Sequence, residues 1–195
     1  VFKKDKVLVS YVCVYKQIFD LYNLLAKRGG FSINKILLEQ KCYAKFVTDE
    51  DFLVVDIGGE ATSFSVFCNT ELEEIYNMYK GGETLTSLFA AGNNMSFDNA
   101  EQIKREKGLL VEDQKFYFYP QLNAIVDKIN ELVKKYSIKK IYFTGGGSNV
   151  KGGITYFKEK IGVPVSFFDF SVVQNKEMSD DLLNRLWNSI IVNFK

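Results

Sequence analysis

Asp56 closes an apolar run, Val54-Val55, and is followed by Ile57-Gly58-Gly59-Glu60, which sets a carboxylate at a strand end with two glycines in the turn behind it. The N–H groups of such a turn can nest an anion such as phosphate, while the carboxylate holds Mg²⁺ or orients water through it. The same segment also reads as an ordinary glycine β-turn with no ligand. Gly145-Gly146-Gly147-Ser148 stands behind a second apolar run, Ile141-Tyr142-Phe143-Thr144. Glycine lets a backbone approach a ligand closely at an entropic cost, and a plain strand-to-helix turn needs one or two glycines rather than three. Between these lies Gly81-Gly82-Glu83-Thr84-Leu85-Thr86, a glycine turn that opens a helix. It is either a helix N-terminus facing an anion or hydroxyl-rich group, or a hinge with an ordinary cap. Glu101 and Lys104, three apart on one helical face, form either a solvated ion pair or an acceptor and donor that bracket ribose hydroxyls or a purine edge. Three glycine turns in one short chain suggest a ligand with several parts. The glycine spacings match neither the Rossmann fingerprint nor the Walker loop.

Those residues need a scaffold, and the hydropathy pattern outlines one. Residues 6–15 read as a strand, 16–28 as a helix ended by Gly29-Gly30, and 31–47 as a strand leading into a short helix at 40–47. This β-α-β opening runs to the polar break Thr48-Asp49-Glu50-Asp51, which places a boundary between a small subdomain with its linking helix, 1–48, and a second lobe, 49–195. Residues 52–57, 62–69 and 72–79 form an antiparallel meander. Helices follow at 83–90, from Ser96, at 119–136 and at 152–161, with strands at 141–144 and 163–168 and a terminal helix at 182–194. Strands alternating with helices after an antiparallel start argue for an α/β fold, a mixed sheet with helices on its faces.

Composition narrows the chemistry. The chain has 195 residues, 47% of them hydrophobic, enough for one good core or two small lobes. A net charge of +1 provides no broad field for nucleic acid or anionic lipid, so no nucleic-acid partner is expected. With no histidine, a His-based triad and a His-ligated metal are excluded. Cys13, Cys42 and Cys68 are widely spaced and read as reduced thiols. The apolar runs fall short of the ~20 residues of a membrane helix, and no signal peptide is visible, which makes a cytoplasmic location the default.

In order and separation, Val54-Val55-Asp56-Ile57-Gly58-Gly59, Gly81-Gly82-x-Thr84-Leu85-Thr86, Ala100-Glu101-Gln102-Ile103-Lys104 and Thr144-Gly145-Gly146-Gly147-Ser148 resemble the actin-like ATPase superfamily. Within it the pattern is most similar to the bacterial families of the type IV pilus assembly protein PilM and the cell-division protein FtsA, with the lean toward PilM. The resemblance covers nearly the whole chain. It implies an actin-like, ribonuclease H-like lobe in which Asp56, Gly58 and Gly59 form the second phosphate loop and Gly145 to Ser148 the adenosine loop. Glu101 and Lys104 would contact the nucleoside and Gly81-Gly82 would lie beside the ribose. The implied cofactors are ATP or ADP with Mg²⁺, held weakly here, with Asp56 as the metal-side and catalytic candidate. The implied role is a scaffold that recruits partners of a pilus, secretion or division complex at the cytoplasmic face of the inner membrane. It would meet the membrane only through partners or a terminal helix, and self-association is a further implied property. Two other readings stand beside it: an FtsA-like polymer and a sugar or acid kinase of the same superfamily. The family's Asp-x-Gly first phosphate loop does not occur before Lys6, so the chain is expected to be a piece of a longer protein, the alternative being a degenerate relative that keeps the fold as a scaffold; either way it would be at most a weak ATPase and not catalytic in isolation.

Overall fold

The computed structural model describes residues 13–33, 38–110 and 115–169. The chain falls into two compact units, Val1–Leu38 and Glu39–Lys195. In the first, α1 (Lys16–Arg28) opens on a Lys16–Asp20 pair at 2.6 Å. It ends in a Schellman motif: the Phe31 amide donates to the Ala26 carbonyl, the Gly30 amide donates to the Lys27 carbonyl, and Gly30 takes φ +76°. Most of the strand expected over 6–15, and residues 34–37, lie outside the described residues.

The second unit runs α2 (Glu39–Tyr43), β1 (Phe52–Ile57), β2 (Thr62–Cys68), β3 (Glu71–Met78), α3 (Gly82–Asn93), α4 (Phe97–Glu106), α5 (Tyr119–Tyr136), β4 (Lys140–Thr144), α6 (Gly153–Lys160) and β5 (Val165–Phe167). Five strands form one sheet in the order β3-β2-β1-β4-β5. The meander β1-β2-β3 is antiparallel, and β1–β4 and β4–β5 are parallel. This is the expected mixed sheet flanked by helices. The β2–β3 turn has Asn69 at φ 51° and Thr70 at φ 66°, the paired left-handed conformations whose twist matches a tight hairpin.

β1 lies at the centre, and its alternation divides two cores. Leu53, Val55 and Ile57 pack with α3, α4, α5 and α6, while Phe52 and Val54 face Tyr43, Tyr142 and Phe168 on the other side. α5 explains the larger core: Leu122, Ile125, Ile129 and Leu132 recur at helical spacing and are buried. Pro120 sits in its first turn and Ser137 closes it at φ 55°. Ser96 caps α4, its hydroxyl oxygen accepting from the Asn99 amide.

Three helices or strands have an end more than one residue away from the sequence reading. α3 extends past 83–90 because Gly81 serves as its cap and Asn94, in left-handed geometry, ends it. α2 stops at Tyr43, where the Lys45 and Phe46 amides bond three residues back and tighten the chain into a turn. β5 is held to Val165–Phe167 because Pro164 cannot donate to the ladder; its carbonyl accepts from Ile141 instead, at 2.9 Å. The terminal helix expected at 182–194 lies outside the described residues.

Phe143 is fully buried and stacks on Phe157 with ring centroids 4.4 Å apart. Phe143→Ala is expected to cost about 3–5 kcal/mol, read from the midpoint of urea unfolding.

Candidate functional site

Two glycine turns meet backbone to backbone at the end of β1. The Gly82 amide donates to Gly58 O at 2.8 Å and the Glu83 amide to Gly59 O at 2.9 Å. A Cβ on Gly81 would lie 2.3 Å from Gly59 O and 2.5 Å from Gly58 O, so only glycine permits this approach. The first amides of α3 are thus engaged by protein carbonyls, which makes the start of α3 a wall of the site rather than an open anion cradle. Gln121, in the first turn of α5 and buried, braces that wall: its Nε2 donates to Gly81 O at 2.8 Å, and its Oε1 has no partner.

The third glycine turn packs against the same strand end. Gly145 has φ +84°, and a Cβ there would fall 2.2 Å from Asp56 Oδ1 and 2.6 Å from Ile57 O. Ser148 is buried and its hydroxyl donates to Gly145 O at 2.7 Å, which locks the loop from within. Gly146 is different, since a Cβ there would meet nothing within 4 Å. Its missing side chain leaves bare backbone beside open space.

That space is a cavity of about 530 Å³. Of the sequence candidates, Gly58, Gly59, Gly82, Glu101, Lys104, Gly146 and Gly147 line it. Gly81, Gly145 and Ser148 shape its walls from behind. Phe97, Glu83, Arg105 and Lys151 also line it and were not singled out by sequence. Arg105 was within reach of a spacing argument, one residue past Lys104 and one turn past Glu101.

α4 supplies the charged wall. Lys104 is buried, with Nζ 2.7 Å from Thr86 Oγ1, 3.0 Å from Gly82 O and 2.5 Å from Glu101 Oε2. Its three protons match these three acceptors. Thr86 has one hydroxyl proton, and the Glu101 carboxylate is the stronger acceptor for it. Arg105 Nε donates to Glu101 Oε1 at 2.6 Å. Burial pushes the Glu101 carboxyl up, but hydrogen bonds from Lys104, Thr86 and Arg105 outweigh it and hold the group at about 2. Glu101 is therefore a fixed anion, able only to accept hydrogen bonds from donors such as hydroxyls.

Asp56 lies elsewhere. In β1 it points to the sheet face of Phe52 and Val54, where the Tyr43 hydroxyl approaches its Oδ2 at 3.5 Å and Glu39 Oε1 at 3.3 Å. Burial raises the Asp56 carboxyl, partly offset by Tyr43. Glu39 is raised to about 7, first by burial and then by the charge of Asp56, against the pull of Tyr43. Beside Asp56 in register is Thr144, whose buried hydroxyl has no partner. The sequence reading missed Glu39 and Tyr43 because no local motif ties them to a carboxylate 17 and 13 positions on.

A glycine-walled cavity at the end of a mixed sheet, with an acceptor helix on one side, defines an actin-like protein. Solved structures share this fold: MreB5 of Spiroplasma citri bound to AMPPNP (TM-score 0.68, 16% identity, covering 92% of this chain and 65% of that one) and the PilM-PilN type IV pilus biogenesis complex (TM-score 0.65, 17% identity, covering 90% and 56%). Residues 34–188 match the family of the type IV pilus assembly protein PilM, and the chain belongs to that family. It is also 30% identical over 101 residues to the cell division protein FtsA of Bacillus subtilis (strain 168), a match spanning 48% of this chain and 23% of that protein. The chain thus spans about a quarter of the curated relative it matches.

Because Glu39 is raised in the folded state, it favours folding below the ordinary carboxyl range, and that contribution is lost as pH rises through about 7. In nucleotide- and magnesium-free buffer, stability is expected to fall between pH 5 and pH 8, and Glu39→Gln to flatten the decline, as read by thermal unfolding across that range.

Proposed function

We propose that this chain is the nucleotide-holding lobe of an actin-like scaffold in type IV pilus assembly, binding ATP or ADP and recruiting partner proteins at the cytoplasmic face of the inner membrane. The carrying observation is the pairing across one cavity of the fixed Glu101 carboxylate with the bare backbone of Gly146 and Gly147. A carboxylate that only accepts selects hydroxyl-bearing ligands such as a ribose. Gly146 and Gly147, without side chains, admit a flat base or a phosphate against main chain. The structure of MreB5 of Spiroplasma citri bound to ADP lends support by fold, with a TM-score of 0.68.

Asp56 and Glu39 are the groups that would stand toward a Mg²⁺. Among the described residues no three His, Cys, Asp or Glu side chains gather into a metal site. Asp56, in register beside the unpartnered Thr144 hydroxyl, fits an ion that takes most of its shell from phosphate and water. When bound, the ion would neutralise phosphate charge. Glu39, raised to about 7, is part protonated at neutral pH and can hold or release a proton at its carboxyl.

Partner recruitment rests on family membership and on the solved PilM-PilN complex, whose fold this chain shares. No helix among the described residues is long and apolar enough to cross a membrane; contact with the membrane would run through partners or a terminal helix.

Titration with a fluorescent ADP analogue tests the reading. Wild type should bind, Glu101→Gln should weaken binding about tenfold, or ~1.4 kcal/mol, and Gly146→Ala should weaken it while leaving the melting temperature unchanged. Absence of binding by the full-length protein, or a Gly146→Ala variant that binds as wild type does, would sink it.

A further inference from the structure

Lys104 sits in the cavity wall, yet its geometry is that of an internal strut. Its side chain is 7% exposed and its Nζ meets acceptors from three places: Thr86 Oγ1 and Gly82 O on α3, and Glu101 Oε2 on its own helix. An ammonium group has three protons and no acceptor capacity. A ligand atom would have to displace one of these partners and leave it buried, which is costly. Thr86, fully buried, stands between the two charged groups, accepting from Lys104 and donating to Glu101. The chain Lys104–Thr86–Glu101 therefore ties α3 to α4 and ends on a carboxylate that lines the cavity.

We propose that Lys104 and Thr86 are positioning residues: they do not touch the bound nucleotide but fix the Glu101 carboxylate, ionised and correctly aimed, as the acceptor for its hydroxyls. This rests on the nucleotide reading above and assigns a different role to Lys104 from direct contact with the nucleoside. The charged groups around Glu101 are Lys104 and Arg105 on α4, Glu83 on α3 and Lys151 across the cavity. Arg105 is largely exposed and bonds the other oxygen, Oε1. With Lys104 replaced, the upward push of burial on Glu101 loses its main opponent.

Two measurements on the full-length protein decide the matter. The first follows the Glu101 carboxyl carbon by NMR against pH, assigned with Glu101→Gln. Wild type should show no titration between pH 4.5 and 8. Lys104→Met should raise the midpoint by about three pH units, bringing it into that window, with Thr86→Val shifting it less in the same direction. The second compares ADP affinity at pH 8 and pH 5, taking the ratio of variant to wild type so that titration of the nucleotide's own phosphates cancels. For Lys104→Met that ratio should worsen about twofold at pH 5, where the shifted carboxyl is half protonated.

A Glu101 that titrates in the wild type within that window, or stays unmoved in both variants, overturns the inference. So does a Lys104→Met variant that folds and loses affinity equally at every pH, because Lys104 would then touch the ligand. If Lys104→Met does not fold, Thr86→Val carries both readouts and the same outcomes apply. Absence of ADP binding by wild type removes the nucleotide reading, while the carboxyl titration still decides whether Lys104 and Thr86 set Glu101.

Discussion

The backbone contact between Gly58-Gly59 and the start of α3 is the constraint on which the site depends. Two N–H···O bonds at 2.8 and 2.9 Å join the end of β1 to the first turn of a helix more than twenty residues later, with Gly81 allowing the approach. Once α3 is seated there, Lys104 can reach Gly82 O and Thr86, and α4 is drawn into place beside it. Gly145 and Gly147 press on Ile57 and Asp56 at the same strand end, so the third turn shares that anchor. The cavity is what remains between elements fixed to one strand terminus by main chain. It can keep its shape while the surrounding side chains vary, which fits a fold shared with solved structures at 16–17% identity.

Three carboxyl groups show how placement alone divides one chemistry. Glu101 is partly buried, yet three donors converge on it and hold it at about 2. Glu39 and Asp56 lie partly buried near each other with one tyrosine hydroxyl between them, and both are pushed up, Glu39 to about 7. Desolvation acts on all three. The number of donors decides the sign, so one sheet end carries a fixed acceptor on one face and two carboxyls pushed upward on the other.

Much of the site was readable locally. The Asp56-Ile57-Gly58-Gly59 turn, the Gly81-Gly82 helix start and the triple glycine all fall at element ends, where hydropathy alternation had already placed strands and helices. Seven residues chosen by type and spacing line one cavity. The orientation of Asp56 was also implicit in strand alternation, since it shares parity with Phe52 and Val54. What that face contains was not implicit, because Glu39 and Tyr43 arrive from a helix in a separate segment.

The sequence by itself determined the meander, the helices with their Ser96 and Pro120 starts, the mixed sheet and the superfamily. Each depends on periodicity or backbone freedom within a few residues, or on the order of short motifs along the chain. Only the tertiary structure decided that the first α3 amides bond protein carbonyls, that Lys104 is an inward strut, that Gln121 braces Gly81 from forty residues away, and that Asp56 lies behind the cavity. The reason is hydrogen-bond valence. A donor's chemistry depends on which acceptors reach it first, and those acceptors come from elements that only folding brings within 3 Å.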